Sequence, residues 1–155
     1  MARWRLALIA FAALAAACDR REPRPRFLLS SPSGAPGVAK VPADQALAPD
    51  QNIRAHEVAR GAHSSVSVVQ VRDREQPHVH TRYDLTVVVA EGHGTLWLQG
   101  RPQKMRPGDA VFIPKGTPHY FVNEGNTPAV AMIVFAPPFD GPDPGPVETP
   151  RAAPP

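Results

Sequence analysis

Gly108-Asp109-Ala110-Val111-Phe112-Ile113-Pro114-Lys115-Gly116-Thr117-Pro118-His119-Tyr120-Phe121-Val122-Asn123 is the stretch on which the reading of this chain turns. Gly108 and Asp109 make a tight turn, because glycine reaches backbone angles closed to other residues and aspartate bonds its own backbone in turns. The turn feeds a short apolar strand, 110–113, and Pro114 and Gly116 shape the exit from it. A second strand follows at 120–123 with His119 at its head. Asn123, just before Glu124-Gly125-Asn126, closes the next turn.

The same grammar extends in both directions. Short β-branched runs at 53–59, 65–71, 85–91, 95–99 and 129–135 join those at 110–113 and 120–123 as expected strands. Turn residues separate them at 91–94, 99–100, 106–108 and 123–126. Outside the amino-terminal stretch no window long enough shows a helical period, and no internal repeat is evident. Closely spaced strands without helices predict an all-β sandwich or barrel. Fewer than 90 residues carry it, so the domain buries a modest share of its surface. Closing the sheet, or pairing two protomers edge to edge as a homodimer, would hide its strand edges.

A second histidine-bearing stretch, Pro77-His78-Val79-His80-Thr81-Arg82-Tyr83-Asp84, lies upstream. Residues two apart on an extended strand project from one face, so the imidazoles of His78 and His80 point together and Val79 points away. Asp84 keeps that parity if the chain stays extended. Three neutral imidazoles and a carboxylate suit a divalent first-row metal and leave positions open for water or a ligand. An isolated His-x-His is more often plain surface or core, and it gains weight only from its partner stretch.

Together the two stretches resemble the two motifs of the cupin superfamily. Residues 108–123 reproduce the second motif without a gap: Gly, five residues, Pro, one residue, Gly, two residues, His, three residues, Asn. The first stretch is similar to the other motif, with His-x-His, a carboxylate three or four residues on, and an apolar strand that ends at Gly92. The resemblance implies a single jelly-roll barrel, with His78, His80 and His119 as ligands of a divalent metal: Fe, Mn, Ni or Zn. Two positions depart from the pattern. Six residues before Gly92 stands Leu85 where the family has Glu, with Asp84 one place earlier, and Arg72 stands where a Gly precedes His78. Asp84 is therefore the candidate fourth ligand, one methylene shorter than Glu.

The resemblance implies a small-molecule ligand without naming the reaction. One reading is a metal-dependent oxygenase or isomerase; the alternatives are a non-catalytic binding or sensing module and a purely structural metal. No Ser-His-Asp arrangement, phosphate loop or separate general base is evident. Arg82 and Tyr83 are placed near the cavity mouth, and Trp97, Phe112, Phe121 and Met132 either line the cavity or fill the core. His56, His63 and His93 receive no role.

The ends read differently. Met1-Ala2-Arg3-Trp4-Arg5, then an apolar run from Leu6 to Ala17, resembles a secretory signal over 1–17. Its 12 apolar residues fall short of the roughly 20 of a spanning helix. Cys18, the single cysteine, resembles the lipidated residue of a bacterial lipoprotein, which would make the protein an exported, periplasmic or membrane-anchored lipoprotein. Ordinary cleavage after Ala17 is the other reading. Loss of Arg3 and Arg5 lowers the net charge from +3 to +1, with 15 basic residues against 14 acidic ones. So balanced a charge predicts no nucleic-acid partner. Of the 20 prolines, six lie at 23–49 and eight at 137–155. Segments so rich in Pro, Ala and Gly bury too little to order, which predicts a tether at 18–49, a folded unit at 50–137 and a disordered Pro-rich tail at 138–155.

Overall fold

The computed structural model describes residues 28–31, 34–38, 46–141 and 143. The signal-like stretch and Cys18 lie outside the described residues. Among the described residues there are ten strands: β1 (Leu28–Ser31), β2 (Gly34–Val38), β3 (Ile53–Arg60), β4 (Ser65–Val71), β5 (Asp84–Glu91), β6 (Gly94–Leu98), β7 (Arg101–Met105), β8 (Ala110–Ile113), β9 (His119–Asn123) and β10 (Ala129–Ala136). The first two pair as an antiparallel hairpin inside the expected tether.

Two antiparallel sheets form a jelly-roll barrel: five strands in the order β3-β4-β10-β5-β8, and three in the order β7-β6-β9. Alternation along each strand decides what faces between them. Leu85, Val87 and Val89 of β5 turn inward, as do Ile113 of β8, Leu96 of β6 and Ile133 of β10. Tyr83, Leu85, Val89, Leu96, Met105, Ile113 and Phe135 form the buried core cluster. Gly94 is required where β6 meets β9, since a Cβ there would stand 2.1 Å from the carbonyl oxygen of Val122.

The same alternation corrects two expected cavity residues. Phe112 lies between inward-facing Val111 and Ile113 and is 61% exposed. Trp97 stacks on its cross-strand neighbour Tyr120, with ring planes 5° apart, on the face opposite Leu96. Phe121 does line the cavity, and so do Ala131 and Ile133 on either side of Met132.

The sequence shows no strand at 101–105, yet β7 forms there. Arg101, Pro102, Gln103 and Lys104 are exposed on it, so no apolar alternation marks it. Proline is tolerated because β7 is an edge strand.

Ordered structure also runs past the expected boundary at Pro137. Phe139 packs against Tyr83 and Phe135, with ring centroids 5.2 and 4.9 Å away. Its backbone nitrogen donates to Ser65 Oγ at 2.9 Å. Tyr83, expected near the cavity mouth, is 1% exposed and its hydroxyl donates to Asp140. Arg82 lies outside and pairs with Asp140 at 2.8 Å.

Candidate metal centre

The segment before β5 reaches β9 as an irregular strand. Asn123 N donates to Asp73 O at 2.8 Å, and Glu75 N to Phe121 O at 2.8 Å. Beyond Glu75 the main-chain ladder is interrupted by Gln76-Pro77, and the Glu75 side chain fills the gap: its Oε2 accepts from Phe121 N at 2.8 Å. Pairing resumes at the histidines. His78 N donates to His119 O and His119 N to His78 O, both at 3.0 Å, an isolated antiparallel bridge. The two motifs, with His78 and His119 41 residues apart in the chain, are thus stitched together at the histidines themselves.

The loop ahead of His119 is pinned as well. Gly116, with φ at +77°, turns its N–H onto His80 O at 2.7 Å, a conformation that other residues adopt only under strain. Asp84 Oδ1 accepts from Lys115 N at 2.8 Å. Asn123 closes its turn as read, with Nδ2 donating to Arg72 O and Thr127 O, each at 2.8 Å.

His78, His80 and His119 converge. One ring nitrogen from each lies within 4.8 Å of the others, a grouping able to hold a metal ion. Their ring centroids stand 4.4, 5.0 and 5.5 Å apart. In each ring Nδ1 faces an acceptor. His78 Nδ1 donates to Gln76 O at 2.9 Å, His119 Nδ1 to Thr117 O at 2.8 Å, and His80 Nδ1 to Asp143 Oδ2 at 3.1 Å. Carbonyls and carboxylates cannot donate, so the proton of each neutral ring sits on Nδ1 and Nε2 keeps its lone pair. Holding a ligand histidine by its other nitrogen fixes both tautomer and ring orientation.

Electrostatics agree with that state. Burial pulls the His119 pKa down to about 4, and the neighbouring rings of His78 and His80 push the same way against the Thr117 carbonyl. Burial also lowers His80, helped by His78 and opposed by Asp143. Burial acts to raise the Asp143 carboxyl, but hydrogen bonds from His80, Thr81 and Arg82 outweigh it and hold the group below the usual carboxylate range. Glu75 is raised by burial, against the pull of His78 and the Phe121 N–H.

Asp84 stands outside the three-histidine group. The chain bends at Thr81 and Arg82, so the parity of His80 does not carry into β5. Leu85 faces the cavity in place of Asp84, and the carboxylate of Asp84 is occupied by the Lys115 loop. The cavity of about 70 Å³ is lined by the three histidines, Glu75 and otherwise apolar side chains such as Val69, Val71, Leu85, Val87 and Ile133. Among the described residues, neither Lys nor Arg lines it.

Glu75 and Asp143 are the residues sequence reasoning missed. Glu75 lies between Arg72 and His78 in a run of charged residues with no apolar alternation, and Asp143 lies in the expected tail. A buried partner for each appears only once β9 and the segment after β10 are folded back.

The comparisons agree with this architecture. Residues 65–135 match the family model for the cupin domain. An uncharacterized protein of Aquifex aeolicus (strain VF5) is 40% identical over 76 residues, covering 49% of this chain and 62% of that protein. An acireductone dioxygenase of Geobacillus thermodenitrificans (strain NG80-2) is 31% identical over 70 residues, 41% of this chain and 38% of that enzyme. The matches thus span less than two thirds of either relative. Among solved structures, KdgF from Halomonas sp. superposes with a TM-score of 0.56 at 25% identity, over 63% of this chain and 90% of its own. Over residues 65–135 the chain is thus similar to cupin domains, and it shares the fold of the solved structure.

Proposed function

We propose that this chain is a metal-binding cupin of the cell envelope that acts on a small oxygen-bearing molecule at its three-histidine centre. The observation that carries the reading is the convergence of His78, His80 and His119 within 4.8 Å, each ring with Nδ1 tied off by an acceptor. The donor set fits a divalent first-row ion. This tautomer leaves the Nε2 lone pair of each ring available, and the low pKa of His119 keeps protons from competing for its Nε2 near neutrality. When bound, such an ion supplies Lewis acidity, and a redox-active one adds dioxygen chemistry.

The chain's own residues do the rest. The apolar wall of Val69, Val71, Leu85 and Val87 excludes water from the bound molecule. Glu75 is the one carboxylate among the lining residues; its raised pKa suits it to hold a proton and exchange it with a ligand. A cavity of about 70 Å³ admits the reacting end of a small molecule, and its lack of lining cations argues against phosphate recognition.

The likeness to acireductone dioxygenase favours an oxygenase acting on a compact acireductone-like enediol. Export through residues 1–17 and lipid anchoring at Cys18 place this chemistry at the membrane surface in this proposal, with the chain as a monomer or a homodimer. Elemental analysis of protein purified without chelators, followed by oxygen uptake with small enediols, tests it. The expected result is one equivalent of metal, lost in His78→Ala and His119→Ala, with uptake that requires it. Metal retained in both variants refutes the site. Persistent silence in oxygen uptake alongside tight ligand binding makes the protein a binding module instead.

A further inference from the structure

The three histidines are not held alike. His78 and His119 each donate Nδ1 to the main-chain carbonyl two residues earlier, Gln76 and Thr117. For His80 the equivalent acceptor is the carbonyl of His78, and that oxygen already receives His119 N in the bridge that joins the two motifs. The very contact that brings the imidazoles together already engages the local acceptor of the third ring. His80 instead uses a carboxylate 63 residues further along the chain, that of Asp143.

We propose that Asp143 is a positioning residue of the metal centre: through its hydrogen bond it fixes the His80 ring with Nε2 toward His78 and His119, and so makes metal affinity depend on the segment that follows β10. This rests on the metal-site reading above. The Asp143 side chain is only 5% exposed, so its geometry is set by protein groups and not by solvent. Its Oδ2 takes His80, while Oδ1 accepts from Thr81 Oγ1 at 3.2 Å and more loosely from Arg82 Nε at 3.5 Å. Both carboxylate oxygens are thereby directed. Without this acceptor an imidazole can rotate about its Cβ–Cγ bond or move its proton to Nε2, and either change removes a ligand lone pair from the centre.

The segment that carries Asp143 is itself anchored away from the histidines. Asp140 accepts from Tyr83 Oη and from Arg82 at 2.8 Å, Asp140 N donates back to Tyr83 Oη at 3.1 Å, and Phe139 N is bonded to Ser65 Oγ. None of these hydrogen bonds is made to an imidazole, although the Tyr83 ring itself meets that of His80 edge-on, with centroids 6.2 Å apart. They therefore supply a control that separates anchoring of the segment from orientation of His80.

The test compares the full chain with Asp143→Ala, Asp143→Asn and Asp140→Ala. Co(II) affinity and the visible spectrum of bound Co(II) are measured, and the histidine tautomers of metal-free protein are read from long-range ¹H–¹⁵N correlations. Melting curves identify variants that keep the fold. Loss of an outer hydrogen-bond partner typically weakens metal binding about 10–100-fold, and that loss is expected for Asp143→Ala, with a smaller one for Asp143→Asn and near-unchanged affinity for Asp140→Ala. In metal-free protein, His80 is expected to hold its proton on Nδ1 and to lose that preference in Asp143→Ala, while His119 keeps its own. Equal weakening by Asp140→Ala, or a His80 tautomer indifferent to Asp143, overturns the assignment. Absence of Co(II) uptake by the unsubstituted chain sinks the metal-site reading and the coupling with it, whereas uptake that Asp143→Ala leaves intact sinks the role of Asp143 alone.

Discussion

Folding should make this domain acid-sensitive through His119, and the size of the effect can be worked out. His119 is 5% exposed and its folded pKa is about 4 against an ordinary 6.5, chiefly because burial disfavours the imidazolium. A base with a depressed folded pKa binds fewer protons folded than unfolded between those two values. Stability therefore rises with pH across that window and is lost as the solution is acidified from about 6.5 towards 4. At about 1.4 kcal/mol per pH unit the full loss is about 3 kcal/mol, a large part of the stability of a small domain. His80, also lowered, adds to the slope. Glu75 works the other way, because its raised folded pKa gives stability at low pH that fades as pH rises. His119→Asn removes the titration and keeps an amide nitrogen at the place of Nδ1, able to donate to Thr117 O, so the difference between the two proteins isolates the histidine. Urea unfolding of metal-free protein at half-unit steps from pH 7.5 to 4.5 is the assay. The unsubstituted protein should lose stability more steeply by up to one proton's worth, with the curves converging in slope above pH 7. Parallel curves over the whole range would show that His119 is not held neutral by its burial, and the argument for a ligand-ready ring would fall with it.

Asp84→Ala should leave Co(II) affinity unchanged while lowering stability by about 1 kcal/mol, because Asp84 accepts from Lys115 N and stands outside the three-histidine group; a clear drop in affinity by calorimetric titration would return Asp84 to the ligand set. Gly94→Ala should be among the most damaging single changes, at about 3 kcal/mol or more. The new Cβ would meet the Val122 carbonyl oxygen at 2.1 Å and the Phe121 ring at 2.5 Å, so a melting temperature near that of the unsubstituted protein would refute the close approach of β6 and β9.

Much of this protein is legible one strand at a time. The apolar alternation of β4, β5 and β10, the turns at Gly108 and Asn123, and the shared face of His78 and His80 follow from local rules, since a two-residue period and the backbone freedom of glycine need no knowledge of the rest of the chain. The pairing of the two histidine stretches was readable only because their spacings resemble a known pattern. What the tertiary structure alone decided is everything that depends on a bend or on a distant partner. The bend at Thr81 and Arg82 turned Leu85 inward and sent Asp84 to the Lys115 loop, because parity survives only while a chain stays extended. β7 formed on mostly exposed polar residues because an edge strand takes its pairing from its neighbour's backbone, with Met105 its one side chain in the core. Asp143 became a buried partner of His80 although its surroundings in sequence are proline and glycine, because a hydrogen bond across 63 residues leaves no mark on local composition.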